Sequence, residues 1–157
     1  MINPYICNIA LDANALDRHG DDRDEFVERF ERLVAEEKLS VVIGSGVRQE
    51  VSHPKTPRAV KSAILPQIFN LQPNLNEPQN ALRKEILAIM HGNAKNGQHT
   101  SDANHLCEAD ETGCSYFITN DKRILAKKLE LSSAGLTLSI VTMRGFFEIL
   151  DDINDNH

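Results

Sequence analysis

Residues 100–125, TSDANHLCEADETGCSYFITNDKRIL, decide the reading of this chain. The opening hydroxyls suit a helix cap, Asp102 falls in the first turn, and Gly113 marks the C-terminal end, where a left-handed residue is needed. Residues 116–119 are aromatic and β-branched, as a short strand requires, and stop at Thr119-Asn120-Asp121. Residues 122–129 read as helix again. The stretch is thus a helix-strand-helix unit with a carboxylate at each end.

Upstream, residues 6–11 predict a strand that delivers Asp12 at its C-terminal end, followed by Ala13 and Asn14. Asp21 and Asp22 introduce a helix with Phe26, Phe30, Leu33 and Val34 along its apolar stripe and Glu25, Glu28 and Glu31 outside it. Residues 39–43 form a continuous apolar run, the pattern of a buried parallel strand, and Gly44-Ser45-Gly46 turns it into a short helix bearing Glu50. That tripeptide is no nucleotide loop, because the P-loop lysine is absent and the dinucleotide spacing is not met.

Residues 52–57 are a proline-punctuated loop, and residues 58–91 predict a helical hairpin. Its first helix covers 58–71, with Val60, Ile64 and Ile68 inward and a kink at Pro66. Its second covers 78–91, with Leu82, Ile86, Ile89 and Met90 in line. The hairpin carries more apolar residues than two solvated helices need, so part of it is expected to meet another chain, as in a homodimer. After a polar linker at 92–99 and the central unit, residues 136–141 predict a further strand. Residues 144–153 predict a last helix with Phe146, Ile149, Leu150 and Ile153 aligned, within a C-terminal helix and tail spanning 144–157.

Strands alternating with helices imply a parallel sheet of four or five strands covered on both faces, because parallel strands need crossover connections. At 157 residues the chain fits a single domain, 1–157, that buries roughly 70% of its unfolded surface. Cys7, Cys107 and Cys114 form no CxxC pair and have apolar neighbours, as reduced thiols in a reducing compartment do. With no leader at Met1 and no apolar run near the ~18 residues of a membrane span, the expected location is the cytoplasm, away from any membrane.

The net charge of −6 speaks against gripping nucleic acid by bulk attraction. The charge is uneven, however: residues 1–37 hold ten acids and four bases, and residues 39–75 hold Glu50 against Arg48, Lys55, Arg58 and Lys61. A second basic group, Lys122, Arg123, Lys127 and Lys128, follows Asp121; the ordinary account of such a run is a solvated helix face.

Asp12 and Asp121 occupy strand ends, where open α/β sheets place reactive groups, Glu50 follows the second strand, and Asp102 opens the helix leading into the third. A cap at Asp121 and a favourable macrodipole at Asp102 explain each acid singly. Gathered together, four carboxylates repel and raise one another's pKa unless a cation lies among them. Oxygen ligands without thiolate or imidazole point to Mg²⁺ or Mn²⁺ rather than zinc.

The order of Asp12, Glu50, the D-A-x-H-L segment at 102–106 and T-N-D at 119–121 resembles a PIN domain over nearly the whole chain. The resemblance implies a three-layer α/β/α fold and a metal-dependent endoribonuclease, with Asp12, Glu50, Asp102 and Asp121 as catalytic and metal-binding acids. It also implies, for the toxin members of the family, an antitoxin partner. Water would hydrolyse the RNA phosphodiester, with Arg48, Lys55, Arg58 or Lys122 holding phosphates. Asn14, Thr119 and Asn120 suit a supporting shell. His105, one turn from Asp102, is either a hydrogen-bonded helix residue or a group that orients substrate or water. Asp110 departs from the pattern: it falls on the apolar face of Ala103, Leu106, Cys107 and Cys114. There it must find a partner, lie higher than the wheel places it, or join the acidic site. The rival functions are a catalytically silent scaffold that binds RNA or protein, and a phosphatase using Asp12 as nucleophile. The second is disfavoured because Asn14 stands where such enzymes carry another aspartate.

Overall fold

The computed structural model describes residues 2–43, 69–70, 77–92 and 100–155. Among the described residues five parallel strands form one sheet: β1 (Asn8–Leu11), β2 (Ser40–Ile43), β3 (Phe69–Asn70), β4 (Cys114–Ile118) and β5 (Ser139–Val141). They lie in the order β3-β2-β1-β4-β5. Ile9 stands opposite Val41 on one side and Tyr116 on the other, and Ala10 opposite Val42 and Phe117. Because side chains alternate along a strand, this register sorts the residues from Ile9 and Tyr116 onward onto two faces.

Ile9, Leu11, Val41, Tyr116, Ile118 and Val141 pack under α1 (Arg23–Ala35) and α6 (Met143–Asp155). Ala10, Val42, Phe117 and Ile140 pack under a second layer. That layer contains α2 (Glu77–His91), α3 (Thr100–Glu111), α4 (Lys122–Ala126) and α5 (Lys128–Ala134). The chain is therefore a three-layer α/β/α fold with two cores, one on each face of the sheet. The strand residues alternate between them except at the start of β4, where an irregularity in the pairing with β1 puts Cys114 in the second core and Tyr116 in the first. Among the described residues no helix is long and apolar enough to cross a membrane.

Several boundaries differ from the sequence reading for identifiable reasons. Strand β1 starts at Asn8 rather than residue 6, because Pro4–Ile6 form a 3-10 turn with proline at its start and the Asn3 side chain accepting from the Tyr5 amide at 2.9 Å. The first hairpin helix was expected to reach residue 71. Phe69 and Asn70 instead form β3, paired in parallel with Val42 and Ile43. Pairing to a neighbouring strand outweighs local helical spacing in so short a segment. The Gly44-Ser45-Gly46 turn, Glu50, Arg48, Lys55, Arg58 and the remainder of that helix lie outside the described residues.

The second hairpin helix is present as α2, and its stripe is used internally. Ile86 and Met90 are fully buried in the core, with Leu82 and Ile89 packed at its margin, where α2 lies against α3 and α5. Arg83 adds a two-pronged bond to the nearly buried Glu111 carboxylate at 3.0 and 2.7 Å, fixing α2 on α3. This part of the apolar surface expected to meet a partner is thus spent on the protein's own core.

The helix expected over 122–129 breaks at Lys127 into α4 and α5. The basic group around the break is only partly a solvated face. Arg123 Nη2 donates to the Met90 and His91 carbonyls at 2.8 and 3.2 Å, and Lys127 Nζ donates to the Ile89 carbonyl. Two cations thus satisfy the last carbonyls of α2, where the helix dipole is negative. Gly92 closes that helix with φ +50, a conformation that calls for glycine.

Asp110 finds its partner across the layer: its Oδ1 accepts from the Thr137 hydroxyl at 2.8 Å and amide at 3.2 Å, tying α3 to the approach to β5. It does not belong to the acids at the strand ends. The three cysteines are free thiols. Burial pushes Cys107 up to about 12 and raises Cys114, so neither offers much thiolate at neutral pH. Half-buried Cys7 is raised by burial too, less a lowering bond with Ser115. In native protein at pH 8, iodoacetamide is therefore expected to label Cys7 first, with Cys107 and Cys114 reacting only on unfolding. Peptide mass spectrometry over a time course checks this, and early labelling of Cys107 would contradict its placement.

Candidate functional site at the strand ends

From β1 the sheet grows outward through β2 and β3, then resumes on the other side with β4 and β5. Strand order therefore reverses between β1 and β4, and the crevice beyond the carboxyl ends of those strands is where open α/β sheets bind ligands. Asp12 directly follows β1, and Thr119 directly follows β4. Both continue the ladder: the Asp12 amide donates to the Ile118 carbonyl and the Thr119 amide to the Val141 carbonyl, each at 2.9 Å.

Thr119 is fully buried and joins the two strand ends. Its hydroxyl donates to Asp12 Oδ2 at 2.7 Å and accepts from the Asp121 amide at 3.0 Å. An amide can only donate, so the single hydroxyl proton is directed to Asp12 Oδ2. On the other side, His105 Nδ1 from α3 stands 3.7 Å from Asp12 Oδ1. Asp102 lies three residues earlier on the same helix, on the face it shares with His105, and is half-buried in the first turn.

Asp121 has an extended backbone, φ −72 and ψ 112, and its Oδ1 accepts from the Arg123 amide at 2.8 Å. It caps α4, as one reading of the sequence expected. The turns after β1 and β4 are also clamped together by their amide side chains. The Asn120 amide donates to Asn14 Oδ1 at 3.1 Å, and Asn120 Nδ2 donates to the Asn14 carbonyl at 2.8 Å. Lys122 is exposed beside this cluster.

Comparison with family models and with curated proteins gives no match for this chain. The chemistry of the strand ends must therefore be judged from the residues themselves.

Asp17, which sequence reasoning passed over, stands near this group. It follows the 3-10 turn Ala13–Leu16, and its amide donates to the Asn14 carbonyl at 3.1 Å. Burial raises its carboxyl pKa, His19 opposes the rise, and the Asp12 charge adds to it. The available signal was its position one short turn after Asp12, which is weak without a known turn geometry.

Among the described residues no three His, Cys, Asp or Glu side chains converge closely enough to form a metal-holding group. The donor chemistry nevertheless fits Mg²⁺ or Mn²⁺: the groups are carboxylates with neutral hydroxyl and amide support. Mg²⁺ keeps several waters and is commonly held by one or two carboxylates plus substrate phosphate rather than a full protein cage. Asp12 is the candidate ligand held by the most contacts at the strand ends, through Thr119 and His105, whereas the Asp121 carboxylate turns to the Arg123 amide, Asp102 lies in the first turn of α3, and Glu50 is outside the described residues.

Proposed function

We propose that this chain is a metal-dependent endoribonuclease of the PIN type, hydrolysing RNA phosphodiester bonds at the carboxyl end of β1 and β4. The observation that carries the reading is the Thr119 hydroxyl, which bonds both Asp12 and the backbone of Asp121 at the point where strand order reverses. A buried carboxylate held there by an oriented donor is a costly arrangement for packing alone, and an apt one for ligating a cation.

In this reading Asp12, Glu50, Asp102 and Asp121 hold Mg²⁺ or Mn²⁺, with Asn14, Thr119, Asn120 and His105 supporting them. A bound ion supplies a water of lowered pKa and neutralises charge on the leaving oxygen. Asp12 and Asp121 would orient the attacking water; its oxygen forms the new P–O bond as the opposite P–O bond breaks, its proton passes to solvent, and the leaving oxygen takes a proton up from solvent. Lys122, exposed beside Asp121, meets a flanking phosphate, and Arg48, Lys55 and Arg58 serve the same purpose in the basic segment of the sequence. Pairing with an antitoxin, or with a second copy, belongs to the same reading.

The helix-capping bond of Asp121 favours a second reading, in which the scaffold binds RNA or protein without cutting. Labelled RNA incubated with the purified chain, with Mn²⁺ or with chelator, separates them. Cleavage that requires Mn²⁺ is the expected result. Retained RNA that stays intact at every metal concentration would support the silent scaffold instead.

A further inference from the structure

We propose that His105 is a positioning residue for Asp12, a role that rests on the metal-dependent reading above. Among the described residues the buried polar side chains are Asp12, His105 and Thr119, and Asp12 meets each of the other two. The other buried positions of α3, Ala103, Leu106, Cys107 and Ala109, are apolar or a thiol, so an imidazole with 2% exposure breaks the pattern of its own helix. Placing a polar ring in a core position is unfavourable unless a polar group faces it.

What His105 faces is the side of Asp12 that Thr119 does not reach. Thr119 donates its proton to Oδ2, and His105 Nδ1 stands 3.7 Å from Oδ1, so the two side chains address different oxygens of the carboxylate. This separation is longer than a hydrogen bond, as polar contacts in ligand-free sites often are, and it shortens when a ligand draws the groups together. Asp102 precedes the imidazole by one turn on the same helix face. His105 thus sets the orientation of Asp12 from the helix that carries Asp102. Groups that orient a ligating carboxylate in this way govern metal affinity by about 10- to 100-fold.

The test is Mn²⁺ binding by calorimetry to the full chain, with the melting temperature of each metal-free variant measured alongside. His105→Leu is expected to weaken Mn²⁺ binding by about tenfold or more. His105→Asn, whose amide nitrogen takes nearly the place of Nδ1, is expected to restore binding to within about threefold, and His105→Gln, which moves that nitrogen away, is expected not to. The Asn and Gln pair keeps the test decisive if the leucine variant does not fold. Wild-type binding with unchanged affinity in His105→Leu, or equal affinities in the Asn and Gln variants, overturns the positioning role while leaving the metal site intact. Absence of Mn²⁺ binding by the wild type overturns the metal-dependent reading itself, and the positioning role with it.

Discussion

Replacing Asp121 by asparagine is expected to lower Mn²⁺-dependent RNA cleavage at least ~100-fold while changing stability by less than ~1 kcal/mol. The two effects separate because Asp121 has two roles carried by different properties. Its Oδ1 caps α4 through the Arg123 amide, and asparagine supplies an equivalent oxygen for that bond. Its own amide donates to Thr119 in either variant, since that bond belongs to the backbone. Only the negative charge is lost, and a neutral amide is a poor ligand for a hard cation. Asp121→Ala removes the cap as well, at a cost of about 1 kcal/mol, yet should be no less active than the asparagine variant by any large factor. Cleavage is to be followed on folded protein at saturating Mn²⁺. Wild-type rates in Asp121→Asn would leave Asp121 as a cap and nothing more.

The layers of this fold were legible because the longer helices and the central strands carry apolar patterns long enough to recognise. Phe30 and Val34 on α1, Ile86 and Met90 on α2, and Phe146 and Leu150 on α6 all face the cores that their spacing assigned to them. Strand β3 was not legible, since two residues, Phe69 and Asn70, show no period and owe their conformation to pairing with Val42 and Ile43. The division between α4 and α5 was hidden for a related reason. No glycine or proline marks Lys127; Arg123 and Lys127 turn back to the end of α2, a contact between segments more than thirty residues apart.

At the strand ends the sequence located the residues but not their bonds. Asp12, Thr119 and Asp121 follow recognisable strands, so their common end of the sheet could be anticipated from parallel topology. Which oxygen of Asp12 receives the Thr119 proton, and that Asn14 and Asn120 clamp one turn to the other, depend on side-chain directions that spacing leaves open. Asp110 illustrates the limit of the helical wheel. Its place on an apolar face was visible, but Thr137, the group that makes this place tolerable, lies beyond an intervening strand and two helices in sequence.

Phe146→Ala is expected to cost about 3 to 5 kcal/mol, a large fraction of the stability of a domain this size, and to lower the melting temperature by roughly 10 °C. The ring is fully buried on the α1 and α6 side of the sheet. It makes edge contacts with Phe30, Tyr116 and Phe147 at centroid distances of 5.8, 5.9 and 5.4 Å, so it ties α1, β4 and its own helix together. Such arrangements add to the burial energy of each aromatic ring. Surrounding rings are rigid and cannot fold into the vacated space, which places the cost toward the cavity-forming end of the range. Tyr116 is further anchored by its hydroxyl, which donates to the Ile2 carbonyl, and so has little freedom to follow. Because Tyr116 and Thr119 lie on one continuous segment of chain, loosening this cluster also loosens the base of the strand that holds Asp12 in place. Leu129→Ala is the control: that side chain is 82% exposed and its truncation should change stability by less than ~0.5 kcal/mol. Urea unfolding of both variants decides the matter. A loss below ~1 kcal/mol for Phe146→Ala would mean that the aromatic cluster closes over the gap and does not bind the helical layer to β4 as its geometry implies.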